Sequence, residues 1–334
     1  MKKFKVGVIG LGVGEKHAEV YKSHPACKVV ALCDFSEEKI KSIRPKYPSV
    51  KIVRDADEIL FDKDINIVSI ASYDNYHYEH VVKALNNEKH VFVEKPLCLY
   101  KEEGIKLRKL LKDKPHLKLL SNLILRKSPR FRLLKEMVQK GEFGDVYYIE
   151  GDYNYGRLYK LTNGWRGDVD FYSVVYGGGV HIVDLILWMT NDSVAEVFSY
   201  GNRMATKKTK FRHNDLCVSL LKFKSGMIGK VACNFGCVFP HFHNFIIYGT
   251  DATFINEFEH GRLIRSRDKE DKEYKIKENY KDIHKGELVK SFIESILNDS
   301  EAEVSLEDVF RGMSVCFAME ESAKTSRKVK VEYL

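Results

Sequence analysis

Short β-branched and apolar runs at 5–9, 29–33, 65–70, 90–93 and 117–120 alternate with stretches at 15–24, 36–45, 78–87 and 100–112 that carry helical spacing. Runs that are apolar at nearly every position predict strands buried on both faces, and strand–helix alternation predicts a doubly wound parallel α/β sheet. Past about residue 123 the pattern changes. The segment 129–140 reads as a helix closed by Gly141, and 145–154 alternates like an exposed edge strand. The stretch 194–260 holds several strands in succession, with turn signals at Lys224-Ser225-Gly226 and Gly249-Thr250-Asp251. Successive strands joined by tight turns predict a large, open, mainly antiparallel sheet. Helices are expected near 285–297 and 306–323. The second opens on Ser305-x-x-Asp308, close to a capping box, with Leu306, Val309, Phe310, Met313, Cys316 and Phe317 along one face. Neither an internal repeat nor a low-complexity segment is visible.

A chain of 334 residues favours two domains. Hydrophobic residues at 44% and charged residues at 31% are ordinary for a globular protein. The seven cysteines are odd in number and form no C-x-x-C pair, which predicts reduced thiols and a cytoplasmic location. Cys237, His241 and His243 are the one combination with metal-ligand character, and a chance strand-and-turn cluster is the preferred reading, so no metal is expected. The start at Met1-Lys2-Lys3 runs through a glycine-broken apolar stretch into Glu15, Lys16 and His17 without a cleavage site, against a signal peptide. No uninterrupted apolar run approaches the ~20 residues that span a bilayer. The net charge of +8 comes from scattered lysines with small clusters at 126–132 and 207–212. Solvated surface explains these best, attraction of an anionic small molecule next, and nucleic acid least.

The first candidate chemistry is Gly7-Val8-Ile9-Gly10-Leu11-Gly12-Val13-Gly14, after a strand and before a helix. Glycines there permit a tight turn and let backbone N–H groups, Val13 included, approach a pyrophosphate at a helix N-terminus. Gly10 and Gly12 fit G-x-G-x-x-G, but Glu15 holds the third position and Gly14 comes one residue early. Asp34 ends the second strand, where a carboxylate accepts ribose hydroxyls and repels a 2′-phosphate. Phe35 rather than arginine follows it. NAD is therefore expected over NADP. Glu94-Lys95-Pro96 follows the strand 90–93, at the sheet edge where ligands bind in such folds. Pro96 biases Lys95 toward an extended backbone. A lysine near cationic nicotinamide and partly buried has its pKa lowered toward general-base range.

The loop at Gly10 and Gly12, Ala71-Ser72-Tyr73-Asp74-Asn75-Tyr76-His77, Glu94-Lys95-Pro96 and Gly177-Gly178-Gly179-Val180-His181-Ile182-Val183-Asp184 occur in that order. The series resembles the glucose–fructose oxidoreductase, inositol dehydrogenase and rhizopine-catabolism family (Gfo/Idh/MocA), as does Tyr248-Gly249-Thr250-Asp251-Ala252-Thr253. The resemblance implies a Rossmann domain, placed at 1–122, and an α+β substrate-binding and oligomerisation domain at 123–334. It also implies hydride transfer between NAD(P) and a CH–OH group of a sugar or polyol. Lys95 and His181 would face the reacting carbinol, and Ser72, Asn75, His77 and Glu94 would surround the nicotinamide ribose. The family's sugar dehydrogenases carry Asp where this chain has Gly177. Asp184 lies on the helical face of His181, either to orient its ring or as a structural residue. The three glycines suggest close backbone approach to a ligand.

Arg126, Tyr153, Tyr155, Arg157, Trp165 and Arg166 are the candidate substrate-binding residues: aromatic faces pack on sugar C–H surfaces, and arginine forks bind carboxylate or phosphate. They point to a nucleotide-linked or acidic sugar. Core packing explains at least one of the two tyrosines, and a surface loop anchored by Trp165 is the plain alternative for the rest. Two other functions remain in view: an NAD-dependent glycoside hydrolase of the same family, and a catalytically silent NAD-binding regulator. A homo-dimer or homo-tetramer is expected, through the outer face of the second-domain sheet, with no nucleic-acid or membrane partner.

Overall fold

A computed structural model describes residues 3–268, 270–271, 273–280 and 283–334. The N-terminal half runs β1 (Phe4–Ile9), α1 (Gly14–Ser23), β2 (Cys27–Cys33), α2 (Glu37–Ile43), β3 (Lys51–Val53), α3 (Asp57–Leu60), β4 (Ile67–Ile70), α4 (His77–Asn86), β5 (His90–Val93), α5 (Lys101–Asp113) and β6 (Leu119–Ser121). The six strands form a parallel sheet in the order β3-β2-β1-β4-β5-β6. β4 is buried at all four positions, as a strand covered on both faces must be. The strand order reverses between β1 and β4, and the carboxyl ends flanking that point are where such sheets bind ligands.

The second half continues with α6 (Pro129–Gln139), β7 (Val146–Asn154), α7 (Tyr159–Thr162), a π-helical turn at Val175–Gly179, α8 (Val180–Thr190), β8 (Val194–Asn202), β9 (Leu216–Phe223), β10 (Ile228–Asn234), β11 (Phe242–Gly249), β12 (Thr253–Asn256), β13 (Gly261–Ile264), β14 (Tyr274–Ile276), α9 (Glu287–Leu297), α10 (Leu306–Thr325) and β15 (Val329–Lys330). Nine strands form the sheet β14-β13-β12-β11-β7-β10-β9-β8-β15, antiparallel except where β7 and β10 run together. β9 shows its logic: Cys217, Ser219 and Leu221 point inward, while Val218, Leu220 and Lys222 point out. β7 was expected at an edge, yet it lies between β11 and β10. Its polar alternation comes from one outward face, carrying Glu150 and Asp152, and not from an unpaired edge. Gly151 on the inward face leaves room for Ile182 of α8, whose side chain would lie 2.4 Å from a Cβ there.

By packing, the chain forms two compact units. One takes the residues up to Ile124 with His284–Phe310, and the other takes Leu125–Ile283 with Arg311–Tyr333. The single division expected at 122/123 therefore becomes an interrupted one. The reason is α9, whose Phe292 ring packs tilted against Phe92 of β5 at 5.7 Å, and the preceding Gly286, which lies against Val20 of α1. Among the described residues no helix is long and apolar enough to cross a membrane.

Candidate functional site

In the first unit, Gly10 adopts φ +83°, and a Cβ there would fall 2.2 Å from the Ala71 carbonyl, so only glycine fits. Gly10 N–H donates to Cys33 and Ala71 N–H donates to Ile9, tying the carboxyl ends of β1, β2 and β4 together. Around Gly12 there is no heavy atom within 4 Å of the Cβ position, an open cradle above the start of α1. Gly14 packs α1 against Val8 at 3.0 Å and Ala71 at 3.3 Å, which is the task of the third glycine in a dinucleotide loop one residue shorter than usual. Val13 takes the N-cap position, and its backbone borders the same cradle.

Asp34 is buried at the end of β2, where Oδ2 accepts Leu11 N–H (2.7 Å) and Oδ1 accepts Ser36 N–H (2.9 Å). Each carboxylate oxygen retains a second lone pair for a ribose hydroxyl. Glu15, in the first turn of α1, is paired with Lys39 and Lys46. Burial pushes its carboxyl up, but the two lysines outweigh that and hold it below the ordinary value. Arg54, not singled out in the sequence, reaches the Phe35 carbonyl (3.3 Å) while its guanidinium pairs with Glu37. These features fit a dinucleotide: a cradle a side chain would fill, a helix start, and a carboxylate beside the loop.

Glu94 and Lys95 follow β5. The Glu94 N–H donates to Ile70, and Glu94 Oε1 accepts Asn122 Nδ2 at 2.7 Å and faces His17 Nε2 at 3.3 Å. Burial pushes this carboxyl up, yet His17, Lys95 and Asn122 together bring it down to about 2. On the other side of Lys95, the Pro96 carbonyl is 2.6 Å from His77 Nδ1, whose Nε2 faces the Ser72 carbonyl at 3.1 Å. His77 was expected beside the nicotinamide ribose. It is fully buried with both ring nitrogens against backbone carbonyls, which ties the two loops together. Ser72 and Asn75 remain accessible, with Ser72 Oγ 3.1 Å from His80 Nδ1. Burial, and then the neighbouring His77, pushes the His80 imidazole down to about 4.

In the second unit the π-helical turn delivers His181 near the start of α8, largely buried, with its ring stacked on Tyr153 at 6.1 Å and 15°. Tyr153 is the centre of an aromatic group: Phe235 and Tyr155 stack on it, and His241 and His243 meet it at 5.2 and 4.9 Å. Burial pushes its phenol well up, so it stays protonated. His243 accepts the Tyr280 hydroxyl proton at Nδ1 (2.9 Å) while its own backbone N–H donates to that oxygen. Burial pushes His243 far down, with His241, His181 and Arg157 adding to it, so the ring is neutral. The sequence pointed to neither Tyr280 nor this use of His243, because the two lie far apart in the chain.

The three glycines make room for neighbouring side chains. A Cβ at Gly177 would lie 2.1 Å from the Tyr172 hydroxyl, one at Gly178 2.5 Å from the Tyr153 ring, and one at Gly179 2.3 Å from Cys233 Sγ. The room at 177 is thus taken by Tyr172, whose hydroxyl accepts Arg166 Nε at 3.1 Å. Asp184 is 1% exposed and accepts two bonds from Arg126, at 2.9 and 2.5 Å. Arg126, expected at the substrate, is thus a buried partner to Asp184, stacked on Trp188. Arg157 lies over Tyr155, and Arg166 over Trp165 and Tyr172. No group of three His, Cys, Asp or Glu residues able to hold a metal occurs among the described residues. Cys237 Sγ faces the Asn234 carbonyl.

Residues 4–120 match the Gfo/Idh/MocA family described as an oxidoreductase family with an NAD-binding Rossmann fold, and residues 131–255 match its C-terminal domain. The chain belongs to the Gfo/Idh/MocA family. It is an enzyme, an oxidoreductase with an NAD-binding Rossmann fold. It is 26% identical to the myo-inositol 2-dehydrogenase of Thermotoga maritima, over 98% of each chain. Among solved structures, scyllo-inositol dehydrogenase from Lactobacillus casei, with bound NAD(H) and scyllo-inositol, superposes with a TM-score of 0.82 at 20% identity over 99% of each chain. A levoglucosan dehydrogenase in complex with NADH gives a TM-score of 0.86 at 18% identity over the full length of both. At those identities the structural likeness speaks for the fold.

Proposed function

We propose that the enzyme oxidises a secondary carbinol of a neutral cyclic polyol or sugar, with NAD as the preferred cofactor and Lys95 and His181 as acid–base groups. The observation that carries this reading is Lys95 itself, held at the carboxyl end of β5 between two anchored residues in a chain of this family. The backbone at Gly10, Gly12, Val13 and Gly14, with Asp34, would hold the dinucleotide, and Ser72, Asn75 and Glu94 would border its nicotinamide ribose. NAD, when bound, supplies the hydride acceptor. Lys95 would take the hydroxyl proton in oxidation and return it in reduction, and His181 is the second acid–base group of this reading. Tyr153 and Tyr155 would lend ring faces to the substrate's C–H surface.

The preference for a nucleotide-linked or acidic sugar gives way. Arg126 is neutralised by Asp184, and the Arg157 and Arg166 guanidinium groups lie on aromatic rings. The named relatives are dehydrogenases of inositols and levoglucosan. Asp34 supports NAD over NADP, and Glu37 offsets the charge of Arg54 beside Phe35. The seven cysteines, none of them in a disulfide, support a reducing compartment such as the cytoplasm.

The test follows NADH absorbance with myo-inositol, scyllo-inositol, levoglucosan, a uronic acid and a nucleotide sugar, each with NAD and with NADP. Turnover of a neutral polyol with NAD is expected, and Lys95→Met should cut it by roughly a hundred- to ten-thousand-fold. Full activity in Lys95→Met, turnover confined to the acidic or nucleotide-linked compounds, or sugar release without net NADH would each overturn the proposal.

A further inference from the structure

His17 is fully buried on α1, outside every dinucleotide motif, and no substrate reaches it. Its ring stands edge-on to Phe92 at 5.0 Å, between Ser69 of β4 and Glu94 after β5. Nε2 lies 3.3 Å from Glu94 Oε1, close enough to pair with the carboxylate but without hydrogen-bond geometry, and Nδ1 lies 3.1 Å from the Ser69 hydroxyl. Serine, histidine and carboxylate stand in line as in a hydrolase, but Ser69 has no exposed surface and cannot meet a substrate. The Tyr21 phenol, one turn along α1, faces Ser69 and is kept protonated by burial. From the far side Asn122 Nδ2 reaches both Glu94 Oε1 and the Lys285 carbonyl. The Glu94 carboxylate is thus held between α1, β6 and the chain before α9, and Lys95 is the next residue.

We propose that His17 is a positioning residue for Lys95, acting through the Glu94 carboxylate. An anion fixed beside Lys95 favours its ammonium form, and the same anchor limits where the side chain starts. The inference rests on the reading of Lys95 as the acid–base group. It predicts that loosening Glu94 alters Lys95 in the cofactor-free protein as well as during turnover.

The experiment measures the pH dependence of Lys95 acetylation by N-hydroxysuccinimidyl acetate in the cofactor-free protein, read by peptide mass spectrometry. It is paired with NAD affinity and with kcat on the best polyol of the panel above. In Glu94→Gln and His17→Leu the acetylation midpoint should move down by at least about half a pH unit, since a neutral or loosened Glu94 favours the free amine. In His17→Leu kcat should fall roughly ten- to a hundredfold while the Kd for NAD stays within about threefold, as a small misplacement of a reacting group predicts. His17→Gln, whose Nε2 extends toward Glu94, should restore both readouts. His17→Asn is too short to reach Glu94, should behave like His17→Leu, and carries the test if the leucine variant fails to fold. An unmoved midpoint in a folded His17→Leu or His17→Asn, or equal losses in the glutamine and leucine variants, would overturn the inference alone. If Lys95→Met keeps its activity, the underlying reading fails first.

Discussion

Arg126 and Asp184 are both almost wholly buried and bound to each other through two hydrogen bonds. Removing one partner from such a pair leaves a stranded charge, so Asp184→Leu should lower the unfolding free energy by about 3–5 kcal/mol in a urea titration. The double variant Arg126→Met with Asp184→Leu should recover most of that loss; equal destabilisation in both would mean that the packing around Trp188 matters more than the charge. Glu94 gives a pH signature. Its folded pKa of about 2 lies below the ordinary 4.5, so its contribution is fully present above 4.5 and is lost as pH falls through 2. The stability gap between the wild type and Glu94→Gln should be on the order of 3 kcal/mol near neutrality and should shrink steadily below about pH 4.5. A gap independent of pH would mean that the carboxylate is not held by its neighbours in this way. Gly177→Asp, the obvious return to the family pattern, should destabilise the protein, because the new Cβ meets the Tyr172 hydroxyl. Combining it with Tyr172→Phe should relieve part of the cost, as differential scanning calorimetry would show.

At the scale of elements, the parallel sheet and the helices between its strands were legible because each strand is apolar at nearly every position. β3 was not, since three residues hydrogen-bonded only to β2 leave no periodicity to read. β7 could be read as a strand but not as a central one, because alternation reports which faces are wet and says nothing about neighbours. Lys95 and Asp34 stood out by their place after strands, whereas His17, Asn122 and Tyr280 gain meaning only from contacts across long stretches of chain. Glycines 177–179 were visible, but what they make room for was not. The return of α9 to the first unit was also hidden, as its apolar face could have served either unit. Phe292→Ala should therefore lower the stability of the Rossmann unit by about 3–5 kcal/mol. Hydrogen exchange should show the loss in α1 and β5; a loss confined to the nine-stranded sheet would contradict the grouping.

For the molecule as a whole, the outward face of the nine-stranded sheet exposes Tyr200, Val218, Leu220 and Ile228 on β8, β9 and β10. Lys230, bonded to Glu150 and Asp152, borders the patch with both signs of charge. An apolar centre with a rim that complements itself suits a second copy of the same chain meeting it about a twofold axis. Light scattering at micromolar concentration should find a dimer or tetramer, and Leu220→Lys should shift it toward monomer without unfolding it. A strict monomer in the unaltered protein would refute the assignment of that face.

The two backbone bonds of Asp34 bear on any exchange of that residue meant to alter cofactor selectivity. The usual recipe swaps the strand-end acid for a small neutral residue and adds a basic one nearby. In this chain the same carboxylate latches the Leu11 amide of the glycine loop and the Ser36 amide that opens the next helix. Deleting it would leave two backbone donors to find new acceptors, so the engineered loop would lose its shape before it changed its selectivity. Asparagine or serine there would still serve one of the two amides, and Arg54 would be released by removing its partner Glu37.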